Sequence, residues 1–110
     1  MNALCSTFSA LSDATRLAIV EQLMDQGECS AGDLVARAAM TGPAVSRHLK
    51  VLRQAGLVTQ RARGTQRLYS VRPEGLRAIA DWTLSRRTFW ETSLDRLDAA
   101  IRREKEECNG

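Results

Sequence analysis

Two helix-length apolar patterns, over residues 31–40 and 43–55, are parted by only Thr41-Gly42-Pro43. So short a link forces the two helices to pack against each other at once. Ser30 is an N-cap candidate for the first helix, with Asp33 where a capping carboxylate belongs, and Leu34, Val35 and Ala38 face inward. Pro43 suits the first turn of the second helix, where its missing N–H would have no partner anyway. Val45, Leu49 and Leu52 form one apolar side there, and Gly56 ends the run. At 100° per residue the opposite side carries Pro43, Ser46, Arg47 and Lys50, with His48 and Arg53 on its flanks. A tight turn followed by a helix with hydroxyl and cationic groups outward is the helix-turn-helix pattern.

The flanking segments extend this unit in both directions. Leu4, Phe8 and Leu11 recur at helical spacing near the start. Ser12 then offers an N-cap, with Asp13 in the first turn of a helix whose apolar face is Leu17, Ile19, Val20, Leu23 and Met24, stopped by Gly27. After Gly56 the period changes. Residues 57–62 and 66–71 are β-compatible runs around Arg63-Gly64-Thr65, which predicts a hairpin with a three-residue loop over about 57–71. Its tip and arms carry Arg61, Arg63 and Arg67, and a basic hairpin placed directly after such a helix is a wing. Beyond Pro73 one long helix is expected over about 74–106. On it Ile79, Thr83, Trp90, Leu94, Leu97 and Ile101 cluster in one stripe, with Trp82 and Phe89 beside them. So wide a band predicts that one stripe closes the core and the other meets a second subunit, with Leu4 and Phe8 alongside. The expected fold is therefore mainly α with a small β-hairpin, one winged helix-turn-helix domain over residues 1–110 that dimerises through its terminal helices.

Charge names the partner. Net charge is only +3, but residues 1–33 carry −4 and residues 74–110 carry −1. Between them, residues 34–73 hold eight bases (Arg37, Arg47, Lys50, Arg53, Arg61, Arg63, Arg67 and Arg72) and no acid. Forty residues without a carboxylate make a concentrated positive field whose natural complement is a polyphosphate, here double-stranded DNA. A helix of this kind enters the major groove, where Ser46 and Arg47 reach base edges and Arg47 can contact guanine bidentately. Lys50 and Arg53, further along, neutralise phosphates. Arg61, Arg63 and Arg67 on the wing approach the adjoining minor groove or backbone.

The wording of the sequence is also familiar. Phe8-x-Ala10-Leu11-Ser12-Asp13-x-Thr15-Arg16-Leu17-x-Ile19-Val20 resembles the opening signature of ArsR-type bacterial transcriptional regulators. The run from Pro43 through Ser46-Arg47-His48-Leu49-Lys50 to Gly56-Leu57-Val58 looks like that family's recognition helix and wing entry, and Gly64-x-x-Arg67-x-Tyr69-x-Val71 like its wing. The resemblance spans roughly residues 5–100. It implies a homodimer that binds an operator palindrome, most often as a repressor, while an odd number of cysteines at unrelated spacings makes a reducing cytoplasm the default compartment. It also marks His48 as a candidate backbone contact, although a residue on the helix flank can equally hydrogen-bond within its own fold. Family members often carry Ser-Gln before the proline. Here Thr41-Gly42 stands there, so no operator sequence carries over, while Thr41 can still cap the helix and touch a phosphate.

The remaining site chemistry is sparse. Where relatives place two metal-binding cysteines before Asp-Leu, this chain has Ser30 and Gly32, and its sole histidine is His48. Imidazole-built metal sites are excluded on ligand count, and no metal or cofactor is expected. Three cysteines, Cys5, Cys29 and Cys108, leave a thiol-responsive repressor (arsenite or persulfide/redox) as the alternative reading, with Cys29 the first candidate sensor. An enzyme would need a nucleophile with its base, or a metal, and neither is in evidence. A protein-binding winged-helix module is the other competitor. No apolar run approaches the ~20 residues of a membrane span.

Overall fold

Asn2 opens the first helix, its side-chain oxygen accepting from the Leu4 N–H at 2.7 Å. The computed structural model describes residues 2–109, with side chains through 107. Helix α1 (Ala3–Leu11) is followed by α2 (Ala14–Gln26), and the cap between them is not the expected one. Asp13, not Ser12, is the N-cap of α2, its carboxylate accepting from the Arg16 N–H at 3.0 Å. Ser12 closes α1 instead, and its hydroxyl donates to the Ser9 carbonyl at 2.7 Å. Aspartate accepts more strongly than serine when both compete for one helix start.

Strand β1 (Cys29–Ser30) comes next and gave no sequence signal, being two residues long. Ser30 then caps α3 (Ala31–Ala38), accepting from Asp33 N–H as its position suggested. Ala39 turns the chain in the left-handed region (φ 51°), and Thr41 caps α4 (Gly42–Gln54) by accepting from Ala44 N–H at 3.3 Å. Strands β2 (Val58–Arg63) and β3 (Gln66–Val71) form the hairpin, and the sheet order is β1-β3-β2, antiparallel throughout. Arg63 pairs with Gln66, so the loop is the two residues Gly64-Thr65 rather than three. Gly64 holds φ 62° at the first loop position, where type II′ turns place glycine.

The core is continuous through these elements. Ile19, Val20 and Leu23 of α2, Leu34 of α3, and Val45, Leu49 and Leu52 of α4 pack with Leu57, Val58 and Tyr69. Leu17 and Met24 are exposed, so the inward face of α2 is narrower than its hydrophobic pattern.

The expected single C-terminal helix is two helices, α5 (Pro73–Ser85) and α6 (Arg87–Asn109). The Ser85 hydroxyl takes the Trp82 carbonyl at 2.7 Å and Arg86 N–H takes the Thr83 carbonyl at 3.2 Å, tightening the last turn of α5. The Arg86 carbonyl then accepts from Trp90 N–H and starts α6. The chain divides into two compact units, one ending at Ile79 and one starting at Ala80. In the second, Leu84, Phe89, Trp90, Leu94, Leu97 and Ile101 are 44–64% exposed, so neither stripe closes a core there. Leu76 of α5 packs on the core of the first unit instead. Among the described residues no helix is long and apolar enough to cross a membrane.

Candidate nucleic-acid interface

Helix α4 presents two chemistries on two sides because its core side is fixed first. Val45, Leu49 and Leu52 are each at most 2% exposed, which locks the helix about its own axis. Pro43, Ser46, Arg47, Lys50, Arg53 and Gln54 are then left exposed together, within an arc of about 120°. Among the described residues none of these cations takes part in an ion pair with a carboxylate. Arg47 and Ser46 lie in the N-terminal half, near the Thr41 cap, where a helix meets base edges.

His48 is not on that face. Its ring is partly buried, and Nδ1 lies 3.4 Å from an Arg16 guanidinium nitrogen and 3.8 Å from the Asp13 carboxylate. Arginine has only donors, so this contact is a hydrogen bond when Nδ1 is the acceptor. The same guanidinium donates to the Ala10 carbonyl at 2.6 Å and the Ser9 carbonyl at 3.3 Å. Arg16 thus satisfies the Ala10 carbonyl at the end of α1, joins Ser12 on that of Ser9, and ties that end to α4. Of the two roles open to His48, the intramolecular one is occupied. The carboxyl of Asp13 is held below its ordinary range, chiefly by the Arg16 backbone N–H and further by the charges of His48 and Arg16. Arg16 stood inside a recognisable motif, yet nothing in the sequence announced this contact across 32 residues.

The wing also differs from its sequence reading. Arg61 donates twice to Glu28, at 2.7 and 2.6 Å, a fork-on-carboxylate pair that reaches past β3 to the residue before β1. The pairing lowers the Glu28 carboxyl and raises the Arg61 guanidinium. Arg61 lies opposite Leu68 in the register, and Leu68 is only 8% exposed, consistent with the arginine stem lying over it. Arg61 therefore fastens the wing to the body and is not a free cation for DNA. Arg63 and Arg67 are exposed. Strand alternation and the pairing of Ala62 with Arg67 put Arg63 on the Arg61 side of the ribbon and Arg67 on the other.

The thiols sort by place in the fold. Cys29, the expected sensor, is a core residue at 6% exposure, because β1 adds to the sheet opposite Tyr69. Its thiol faces the Gly27 carbonyl at 3.4 Å and lies beside the Gln26 side-chain amide, the surroundings of a structural cysteine. Cys5 is exposed on α1. The side chain of Cys108 lies outside the described residues. Of the expected subunit contacts, Leu4 is half-buried, and Phe8, Trp82, Phe89, Trp90, Leu94 and Leu97 are exposed.

Comparison with known proteins agrees with this geometry. The family model described as bacterial regulatory protein, arsR family, matches residues 13–60, the stretch from the Asp13 cap to the first wing strand. The chain is 45% identical over 87 residues to the HTH-type transcriptional regulator Rv2034 of Mycobacterium tuberculosis, covering 79% of this chain and 78% of that protein. It is 31% identical over 80 residues to the transcriptional repressor SdpR of Bacillus subtilis, covering 73% and 88%. An ArsR-like transcriptional regulator from Rhodococcus sp. RHA1 superposes with a TM-score of 0.69 at 29% identity, over 86% of this chain and 89% of that one.

Proposed function

The chain belongs to the arsR family of bacterial regulatory proteins, and on that premise we propose that it is a cytoplasmic homodimeric repressor that binds a palindromic operator through α4 and the β2–β3 wing. The observation that carries this reading is the outer face of α4. Ser46, Arg47, Lys50 and Arg53 stand exposed on a helix clamped by Leu49 and Leu52, in a forty-residue stretch without a carboxylate. Such a surface pairs with phosphates over its length and with base edges at one end.

Two copies double the contact. The exposed apolar residues of α6 and the end of α5 are anchors of the kind that subunit interfaces bury, and a two-fold axis would set two recognition helices about 34 Å apart, one turn of DNA. DNase footprinting on the promoter of its own gene tests this. A protected pseudo-palindrome with half-sites one turn apart is expected, and uniform, sequence-independent protection would refute an operator.

A further inference from the structure

Between the C-terminal half of α4 and the base of the wing runs an open groove of about 520 Å³, lined by Lys50, Arg53, Gln54, Val58, Thr59, Gln60 and Arg72. Three of those seven side chains are cations and none is an acid. The contrast with the groove between α2 and α3 is plain, since Glu21 and Asp25 line that one together with Arg37. We propose that the α4–wing groove seats a phosphate group, and that Arg72, at the end of β3, is its third cation beside Lys50 and Arg53.

Arg72 is held for such a task. Its backbone N–H donates to the Leu57 carbonyl at 2.8 Å, and its guanidinium reaches the Gly56 carbonyl at 3.5 Å, so one edge rests on the backbone and, among the described residues, the other edge meets no acceptor. A guanidinium offers a planar fork to phosphate oxygens, and a lysine adds a compact charge that adapts to the remaining oxygen. Like charges gathered in one cleft focus the field on whatever anion enters. The Thr59 hydroxyl pairs with that of Ser70 at 3.1 Å, and the three cations are the groups suited to hold an anion.

The phosphate belongs to the operator backbone, a step that rests on α4 being the DNA-facing helix. Lys50, Arg53 and Gln54 share the outer face with Ser46 and Arg47, so a duplex held by those two passes the mouth of the groove. Arg72 therefore contributes affinity and register, not base choice.

The test uses the full chain as wild type, Arg72→Gln, Arg72→Lys and Arg47→Ala. Anisotropy is read on the footprinted duplex and on a random duplex of equal length, over a series of KCl concentrations. Arg72→Gln should weaken both duplexes by the same factor and flatten the log–log salt slope by about 0.9, or about 1.8 if a dimer fills two grooves. Arg72→Lys should restore most of that slope, whereas Arg47→Ala should change the ratio between duplexes. In a second arm, wild type and Arg72→Gln are titrated with pyrophosphate by calorimetry in the absence of DNA. Pyrophosphate binding lost in Arg72→Gln, with an unchanged DNA slope, keeps the seat and assigns it to a free phosphate. If no variant, wild type included, binds duplex while wild type still takes pyrophosphate, the DNA reading fails and the groove stands. Unchanged behaviour of Arg72→Gln in both arms overturns the proposal. Arg53→Gln serves as the second variant should Arg72→Gln lose the native circular dichroism spectrum.

Discussion

The carbonyl oxygen of Gly56 fills the space into which a Cβ on Gly75 would project, and the Gly56 carbonyl carbon and Leu57 Cα would stand only 2.9 and 3.0 Å from it. The first turn of α5 thus lies directly on the backbone that leads from the recognition helix into the wing. Gly56 itself holds φ 76°, a conformation that suits glycine. Because the obstructing atoms are backbone, no rotamer change relieves the clash. Gly75→Ala should destabilise the fold by about 1–3 kcal/mol, as overpacking commonly does. Urea denaturation followed by circular dichroism checks it, and a midpoint equal to wild type would show that α5 can shift freely.

Arg47→Ala should reduce operator affinity by about 1–3 kcal/mol while leaving binding to random duplex nearly level, the loss expected of one bidentate base contact. Competition between specific and random duplexes measures the two separately. Equal losses on both would move Arg47 to the phosphate-binding set.

Acid should weaken the wing attachment in a defined window. The Glu28 carboxyl is lowered chiefly by its hydrogen bonds from Arg61, and that of Asp13 chiefly by the Arg16 N–H. Folded values below the unfolded ones mean stability that is present above the ordinary carboxylate range and disappears as pH falls through the lowered values. Glu28→Gln should therefore melt below wild type at pH 7, and the two curves should converge in strong acid. A gap of constant size at every pH would assign the loss to packing.

Sedimentation at micromolar concentration should show a dimer, and Trp90→Glu or Leu94→Glu should yield a monomer that retains the helical spectrum. Both side chains line one apolar cleft with Leu84 on the α5–α6 unit, so a charge in either disrupts the same surface. A monomeric wild type would contradict the proposed assembly.

Thiol labelling should be fast at Cys5 and slow at Cys29, whose rate should follow opening of the core. Cys29→Ser should lower stability before it alters any response to arsenite or diamide. An immediate loss of operator binding on diamide treatment that Cys29→Ser abolishes would restore Cys29 as a sensor.

The parts of this molecule legible in its sequence are those governed by local rules. The Ser30 and Thr41 caps, the Val45-Leu49-Leu52 side of α4 and the basic outer face all follow from spacing and side-chain chemistry within one turn or two. What escaped reading depends on partners far along the chain. Arg61 looked like another wing cation because Glu28 lies 33 residues away, and Cys29 looked available because a two-residue strand has no periodicity to betray it. The break at Arg86 was hidden for a different reason. The apolar spacing runs straight through it, and the Ser85 hydroxyl bond to Trp82 and the Arg86 N–H bond to Thr83 mark where the helical ladder tightens.

Strand alternation spreads the charge of the wing tip over both its sides. With Arg63 on one side of the ribbon and Arg67 on the other, the hairpin is charged on both flanks of a blade only two strands wide. A blade lowered edgewise between the two sugar-phosphate walls of a narrow groove offers one arginine to each wall. On the proposed DNA-binding reading the wing would grip both nucleic-acid chains from within, as a wedge does, without leaning toward either.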